Sequence, residues 1–267
     1  MCELLGMSAN VPTDICFSFS GLMQRGGATG PHKDGWGIVF YEQGGTREFR
    51  DHRPSVDSEI AQLVSQYPIK SETVISHIRQ ANVGDVNLVN THPFCREMWG
   101  QYWTFAHNGQ LKDYQPEPVF YQPVGTTDSE AAFCHLMDEM RQKCCAKQVC
   151  APFNGDSTDH AKIWQLIADF GRQRMTQGVF NMLLSQGEFL ICFCGTNLHW
   201  LTRRAPFGVA ELSDAEMRVN FKKETTPRDI VTVVATQPLT QNEQWQKMNP
   251  GEIIVFAKGE PIWQQAA

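Results

Sequence analysis

Strand-like segments crowd both ends of this 267-residue chain and helical periodicity occupies its middle, an order that limits the folds open to it. Residues 35–41, 73–78 and 103–106 are short, β-branched or aromatic, and bounded by Gly, Asn or charged residues, which reads as strands. Residues 189–194 and 198–202 flank Gly195-Thr196-Asn197, a three-residue connection that predicts a hairpin. Residues 230–236 and 252–256 add two further strands. In between, Ile60, Leu63, Val64 and Tyr67 fall at i, i+3, i+4 and i+7, and Ala132, Phe133, Leu136, Met137 and Met140 share one helical face. A third amphipathic stretch, from about residue 158 to 175, brings Ile163, Leu166, Ile167 and Phe170 together. Strands, then helices, then strands imply an α+β protein with two sheets and helices outside them, not a doubly wound parallel sheet.

With 42% hydrophobic and 19% charged residues the chain can bury a substantial core. The one plausible linker, residues 145–159, is short and flanked by helical patterns, so residues 1–267 read as a single domain. The net charge of −6 at pH 7 is spread without basic tracts, which argues against nucleic acid and anionic membranes as partners. No apolar run is long enough to span a bilayer and the first residues lack a secretory pattern, so a cytoplasmic protein is expected. Nine cysteines, an odd number without paired metal-ligand spacing, fit a reducing compartment, most of them as small buried hydrophobes. No metal and no cofactor is expected; His135 and Glu139, four apart on a helix, lack a third ligand and read as a surface pair.

Four separated segments carry chemistry. Removal of Met1 would leave Cys2 with both a thiol and a free α-amine, a nucleophile with its base attached. Arg79, at a strand end, offers a guanidinium that can grip a carboxylate through two hydrogen bonds, or an ordinary surface pair. Asn108-Gly109 is a turn signal by default, yet an Asn amide and a glycine N–H are also two donors able to converge on an oxyanion. Asp128 opens a helix, where it or Thr127 can cap, and a carboxylate there can also pair with an ammonium group. His77, His92 and His107 lie near these segments and read as structural.

Cys2, Arg79 in His-Ile-Arg, His107-Asn108-Gly109 and Asp128 in Thr-Asp-Ser-Glu occur in the order seen in class II glutamine amidotransferases, the N-terminal-nucleophile glutaminase domains, which the chain resembles. The start Met-Cys-Glu-Leu-Leu-Gly-Met, Arg25-Gly26-Gly27 leading to Asp34-Gly35-Trp36-Gly37, and Asn90-Thr91-His92-Pro93-Phe94 are similar to the small stand-alone YafJ-type members. So are residues 180–185 and 203–208, which extends the likeness over almost the whole chain. The resemblance implies a four-layer αββα sandwich of two mainly antiparallel sheets, the N-terminal nucleophile hydrolase fold. It implies Cys2 as nucleophile, Asn108 and Gly109 as oxyanion hole, Arg79 as clamp for the substrate α-carboxylate and Asp128 as partner of its α-ammonium group. The expected substrate is glutamine, with a γ-glutamyl peptide or γ-glutamyl thiol metabolite as the alternative, and release of ammonia through a thioester. A glutamine-sensing or ammonia-donating subunit of a larger complex is the reading of another class, with an ammonia-accepting synthase or further copies of the chain as candidate partners. Arg79-Gln80-Ala81-Asn82 stands where synthase-fused enzymes often have Arg-Trp-Ala-Thr, and nothing in these 267 residues resembles a synthase.

Overall fold

The strand alternation sorts apolar side chains into three layers, and those layers define the architecture in a computed structural model that describes residues 2–81, 84–144 and 160–267. Successive residues of a strand face opposite ways. In β1 (Glu3–Thr13), Leu5 and Met7 join Phe19 and Leu22 of helix α1 (Cys16–Arg25), whereas Leu4 faces inward. In β4 (Ser71–Ile78), following β2 (Trp36–Glu42), β3 (Gly45–Asp51) and α2 (Glu59–Gln66), Val74 and Ile78 face outward and Ile75 inward.

The second sheet repeats this pattern. It contains β5 (Phe94–Met98), β6 (Gln101–Leu111), β7 (Gly178–Ser185) and β8 (Phe189–Phe193), and its Phe105, Phe180, Ile191 and Phe193 pack beneath α3 (Asp128–Lys143) and α4 (Ala161–Met175). Ala106, Leu183, Leu190 and Cys192 point the other way and meet Leu4 and Ile75 in the middle layer. The remaining strands are β9 (His199–Arg203), β10 (Val209–Glu211), β11 (Arg218–Asn220), β12 (Val231–Ala235), β13 (Gln246–Lys247), β14 (Ile253–Ala257) and β15 (Glu260–Gln265), with a short α5 (Phe221–Glu224) after β11. The two large sheets run β13-β9-β12-β1-β4-β2-β3 and β15-β14-β8-β7-β6-β5, every pairing antiparallel. Helix, sheet, sheet, helix is the expected αββα sandwich.

Two local expectations fail, each for a physical reason. The segments around Gly195-Thr196-Asn197 form no hairpin: β8 belongs to the second sheet and β9 to the first, so this connection crosses between them. Its three backbone N–H groups all donate to Oδ1 of Asn181 on β7, at 3.1, 2.9 and 3.0 Å, a side-chain anchor that replaces the hairpin ladder. Of the apolar set on α2 and its C-cap, Ile60, Leu63 and Tyr67 are exposed, by 38, 58 and 59%, and Val64 alone is buried, together with the smaller Ala61. The sets on α3 and α4 hold, except that Leu166 is half-buried. Of the described cysteines, Cys2, Cys134, Cys192 and Cys194 are buried and Cys16, Cys95 and Cys144 partly so. His135 and Glu139 do pair, at 3.4 Å. The proposed linker, residues 145–159, lies outside the described residues. No helix among them is long and apolar enough to cross a membrane, and no cluster of metal-ligating residues occurs among them.

The start of β1 is tied down by a buried charge cluster. The Arg25 guanidinium donates to Glu3 Oε2 at 3.0 Å, to Asp214 Oδ2 at 2.8 Å, and to the carbonyls of Gln237 and Pro238. Burial pushes the Glu3 carboxyl up and the Arg25 charge opposes it. Arg25→Met leaves that carboxylate buried without its partner, and we expect a loss of about 3–5 kcal/mol in urea unfolding, partly recovered in Glu3→Gln/Arg25→Met. Additive losses in the double variant would sink this account.

Candidate active site

Antiparallel register brings the N-terminus to the end of β4. Glu3 pairs with Ile78, so Cys2 lies beside the residues that leave β4. The Cys2 thiol is 3.4 Å from the Gln80 backbone nitrogen, which donates to it, and 3.5 Å from the Gln80 carbonyl. Burial pushes the thiol above its ordinary value, opposed by the Gln80 hydrogen bond and the Arg79 charge. A buried thiol of this kind rests protonated at neutral pH, so its activation has to come from a base at hand and not from a standing thiolate.

Arg79 is fixed through its backbone by the Asp34-Gly35 loop: its N–H donates to Gly35 O at 2.8 Å and its carbonyl accepts from Asp34 N at 3.1 Å. Asp34 Oδ2 also accepts from Ala81 N at 2.7 Å. The guanidinium, 3% exposed, donates to the carbonyls of Asp85 and Gly84 at 3.0 and 3.2 Å. The arginine is thus buried at the site and is no surface pair.

Asn108-Gly109 does not turn. Both residues lie inside β6, opposite Asn181 and Phe180 of β7. Gly109 is required by that pairing, because a Cβ there would stand 1.8 Å from the Val179 carbonyl oxygen and 2.7 Å from His107 Nε2. Asn108 is fully buried; its Nδ2 faces Thr236 Oγ1 at 3.3 Å and its Oδ1 has no hydrogen-bond partner among the described residues. Asn181 Nδ2 donates to the Asn108 carbonyl at 3.0 Å, so the residue that anchors the inter-sheet crossover also holds this strand.

Thr127, not Asp128, caps α3, its Oγ1 accepting from Glu130 N at 3.2 Å. Asp128 occupies the first turn and accepts from Leu111 N through Oδ2 at 2.6 Å. Beside it Ser129 Oγ meets His107 Nδ1 at 2.8 Å. His77, His92 and His107 form a buried group, the rings of His77 and His92 4.2 Å apart. Burial, assisted by neighbouring His107 and Arg79, holds His77 down at about 3, and His92 sits well below its usual range for the same first cause. His107 is also lowered by burial, with Asp128 acting the other way. Gly37 makes room for the His92 backbone, since a Cβ would come within 2.3 Å of its carbonyl oxygen.

Cys2, Arg79, Gly109 and Asp128 line one cavity together with Gln80, His92, His107, Gln110, Thr127 and Ser129. Its free space is about 30 Å³, which admits water but no amino acid, so ligand entry requires the walls to part. An open groove of about 610 Å³ adjoins it through Gln110, Thr127 and Asp128. The larger cleft of about 680 Å³ lies by Tyr41, Lys70, Ser71 and Gln186, at the opposite end of β4 and roughly 25 Å away by strand rise. It contains neither Cys2 nor a comparable donor set, and volume alone misleads here.

Sequence reasoning missed Asn181, Thr236 and Gln80. Isolated polar residues inside or beside apolar strands are the one signal they carry, because a buried amide or hydroxyl must be hydrogen-bonded.

The model of the family "Glutamine amidotransferases class-II" matches residues 1–267. The chain is 57% identical to YafJ of Escherichia coli (strain K12) over 263 residues, 98% of this chain and all of that one. It is 34% identical to the uncharacterized protein MJ1515 of Methanocaldococcus jannaschii over 268 residues, 98% of this chain and 71% of that one. The crystal structure of a predicted glutamine amidotransferase from Pseudomonas aeruginosa PA01 superposes with a TM-score of 0.75 at 53% identity, covering 97% of this chain and 99% of that one. Glutamine phosphoribosylpyrophosphate amidotransferase of Bacillus subtilis shares the fold, with a TM-score of 0.50 at 13% identity over 99% of this chain and 49% of that one. The chain belongs to the class II glutamine amidotransferases.

Proposed function

We propose that the chain is a cytoplasmic glutaminase of single-domain organisation, 1–267, which hydrolyses the γ-amide of glutamine through Cys2. With Met1 removed, the α-amine of Cys2 takes the thiol proton as Sγ attacks the γ-carbonyl carbon. The negative charge on the carbonyl oxygen is met by the Asn108 amide and the Gly109 N–H. Collapse breaks the C–N bond, the α-ammonium returns the proton to the leaving nitrogen, and ammonia departs from a γ-glutamyl thioester. Water, deprotonated by the same amine, attacks the thioester carbon, and glutamate leaves with the thiol restored. Arg79 and Asp128 hold the α-carboxylate and α-ammonium ends, which converts the attack into an intramolecular one.

The observation that carries this reading is the shared cavity, in which a thiol, a guanidinium, a strand glycine and a carboxylate come from four separate segments. The test is intact-protein mass spectrometry after exposure to a diazo-ketone analogue of glutamine, with peptide mapping. One adduct on Met1-less Cys2, blocked by excess glutamine, is expected; labelling that glutamine does not protect would sink the substrate. Arg79→Lys, which loses the bidentate fork but keeps the charge, is expected to raise KM for glutamine by at least about 10-fold with a smaller change in kcat. An unchanged KM would remove Arg79 from substrate binding.

The adjoining groove favours a second reading, hydrolysis of γ-glutamyl peptides, since it offers room beyond Asp128 for a larger substrate. Parallel rates on glutamine and on a γ-glutamyl dipeptide separate the two.

A further inference from the structure

Thr236 follows β12 in the first sheet, and its single hydroxyl touches both halves of the proposed chemistry. Its Oγ1 accepts the Leu4 backbone N–H at 2.9 Å, two residues from Cys2, and lies 3.3 Å from the side-chain amide of Asn108 in the second sheet. Backbone bonds reinforce the placement: Thr236 N donates to Leu4 O at 3.2 Å, and the Thr236 carbonyl faces His199 Nδ1 at 2.9 Å. The threonine is 4% exposed and Asn108 is fully buried.

The hydrogens at this contact do not close as the amide stands. Thr236 Oγ1 faces two donors, Leu4 N–H and Asn108 Nδ2, so its own hydrogen finds no acceptor among the described residues. Asn108 Oδ1 is at the same time a buried acceptor with no donor among those residues. Two groups go unsatisfied inside a fully buried site, where each costs roughly 1–3 kcal/mol. Half a turn of the amide removes both faults. The Thr236 hydroxyl then accepts from Leu4 N–H and donates to Asn108 Oδ1, and one group alone, the Asn108 NH₂, is left without a partner, at the position Oδ1 now holds. Oxygen and nitrogen of an amide are told apart by such a network and not by shape.

Resting on the proposed Cys2 reaction, we propose that Thr236 is a positioning residue that fixes the Asn108 amide with its nitrogen toward the developing oxyanion. A lone unsatisfied donor is what an oxyanion hole requires, because it gains its partner when the tetrahedral intermediate forms. The same hydroxyl holds Leu4, so one group sets the spacing between the strand that carries the nucleophile and the strand that carries the donor.

An atomic-resolution or neutron map of the unmodified protein reads the amide directly. Oδ1 facing Thr236 is expected, and Nδ2 facing it overturns the proposal. Thr236→Val, with its hydroxyl lost at equal size, is expected to lower kcat for glutamine by about 10- to 100-fold, less than deletion of an oxyanion donor, with KM within about threefold. Thr236→Ser is expected to restore kcat. The rate of Cys2 alkylation by iodoacetamide should not change in Thr236→Val, because alkylation develops no oxyanion. An unchanged kcat, or a fall in kcat matched by a fall in alkylation, overturns the proposal, the latter by showing that β1 itself has moved. Should the valine variant not fold, the map decides. Failure of the underlying reading has a different mark, an unmodified protein that cleaves no γ-glutamyl amide, and with no oxyanion to meet the proposal falls with it.

Discussion

Cys2→Ala is expected to lower glutamine hydrolysis by on the order of 10⁴-fold or more, the usual consequence of removing a covalent nucleophile, while costing the fold about 1 kcal/mol. The side chain is small, and its hydrogen bonds among the described residues are weak ones to the Gln80 backbone, so the variant should unfold close to the parent and any loss is chemical. Thiol acidity does not set Cys2 apart. Burial pushes Cys16 up to about 11 and Cys95 up to about 12, and it raises Cys2 as well. What distinguishes Cys2 is position: an α-amine on its own residue once Met1 is gone, and donors across the cavity. The diazo-ketone should therefore label the parent once and Cys2→Ala not at all, even though Cys16, Cys95 and Cys144 are partly exposed. Retention of more than about a hundredth of the parental rate would transfer the reaction to another group.

The layered fold was legible because β2, β4, β6, β8, β12 and β14 fall on short apolar runs rich in β-branched or aromatic residues, and three-four spacing is strong in α3 and α4. Non-local partners could not be read. Gly195-Thr196-Asn197 has the composition of a hairpin turn, and what makes it a crossover is Asn181, fourteen residues earlier in the chain. Asn108-Gly109 has the composition of a turn, and what makes it a strand is pairing with β7, some seventy residues later. Of the apolar stripe predicted on α2, tertiary packing buries Val64 alone and adds Ala61 to it. Cys2, Arg79, Gly109 and Asp128 were legible as candidates because each is a residue type with its own chemistry. The groups that orient them, Thr236, Asn181 and the Gln80 backbone, carry no such mark, since their roles exist only once two sheets have met.

The buried cluster of His77, His92 and His107 should make this fold acid-sensitive well above the carboxylate range. His77 and His92 are held neutral by burial, His77 at about 3, while in the unfolded chain each titrates near 6.5. Below pH 6.5 the unfolded state therefore binds protons that the native state refuses, and stability falls as pH falls, down to the native values. Each such histidine contributes about 1.4 kcal/mol per pH unit, so the pair contributes about 2.7, and His107, lowered by the same burial, adds to it. Glu3, pushed up by burial, works in the opposite direction by at most one proton. The charges around the group do not rescue it: Arg79 and Arg50 bear on His92 with the sign that disfavours protonation, and Asp128 alone favours it, at His107. Urea unfolding at pH 7.5, 6.0 and 5.2, above the range where ordinary carboxylates titrate, should show this slope directly. His92→Phe keeps a ring against His77 and Phe94 and removes no hydrogen bond among the described residues, where neither His92 nitrogen has a partner. That variant should reduce the slope by about 1.4 kcal/mol per pH unit, and a parental protein whose stability is flat over this window would mean that water reaches the three rings.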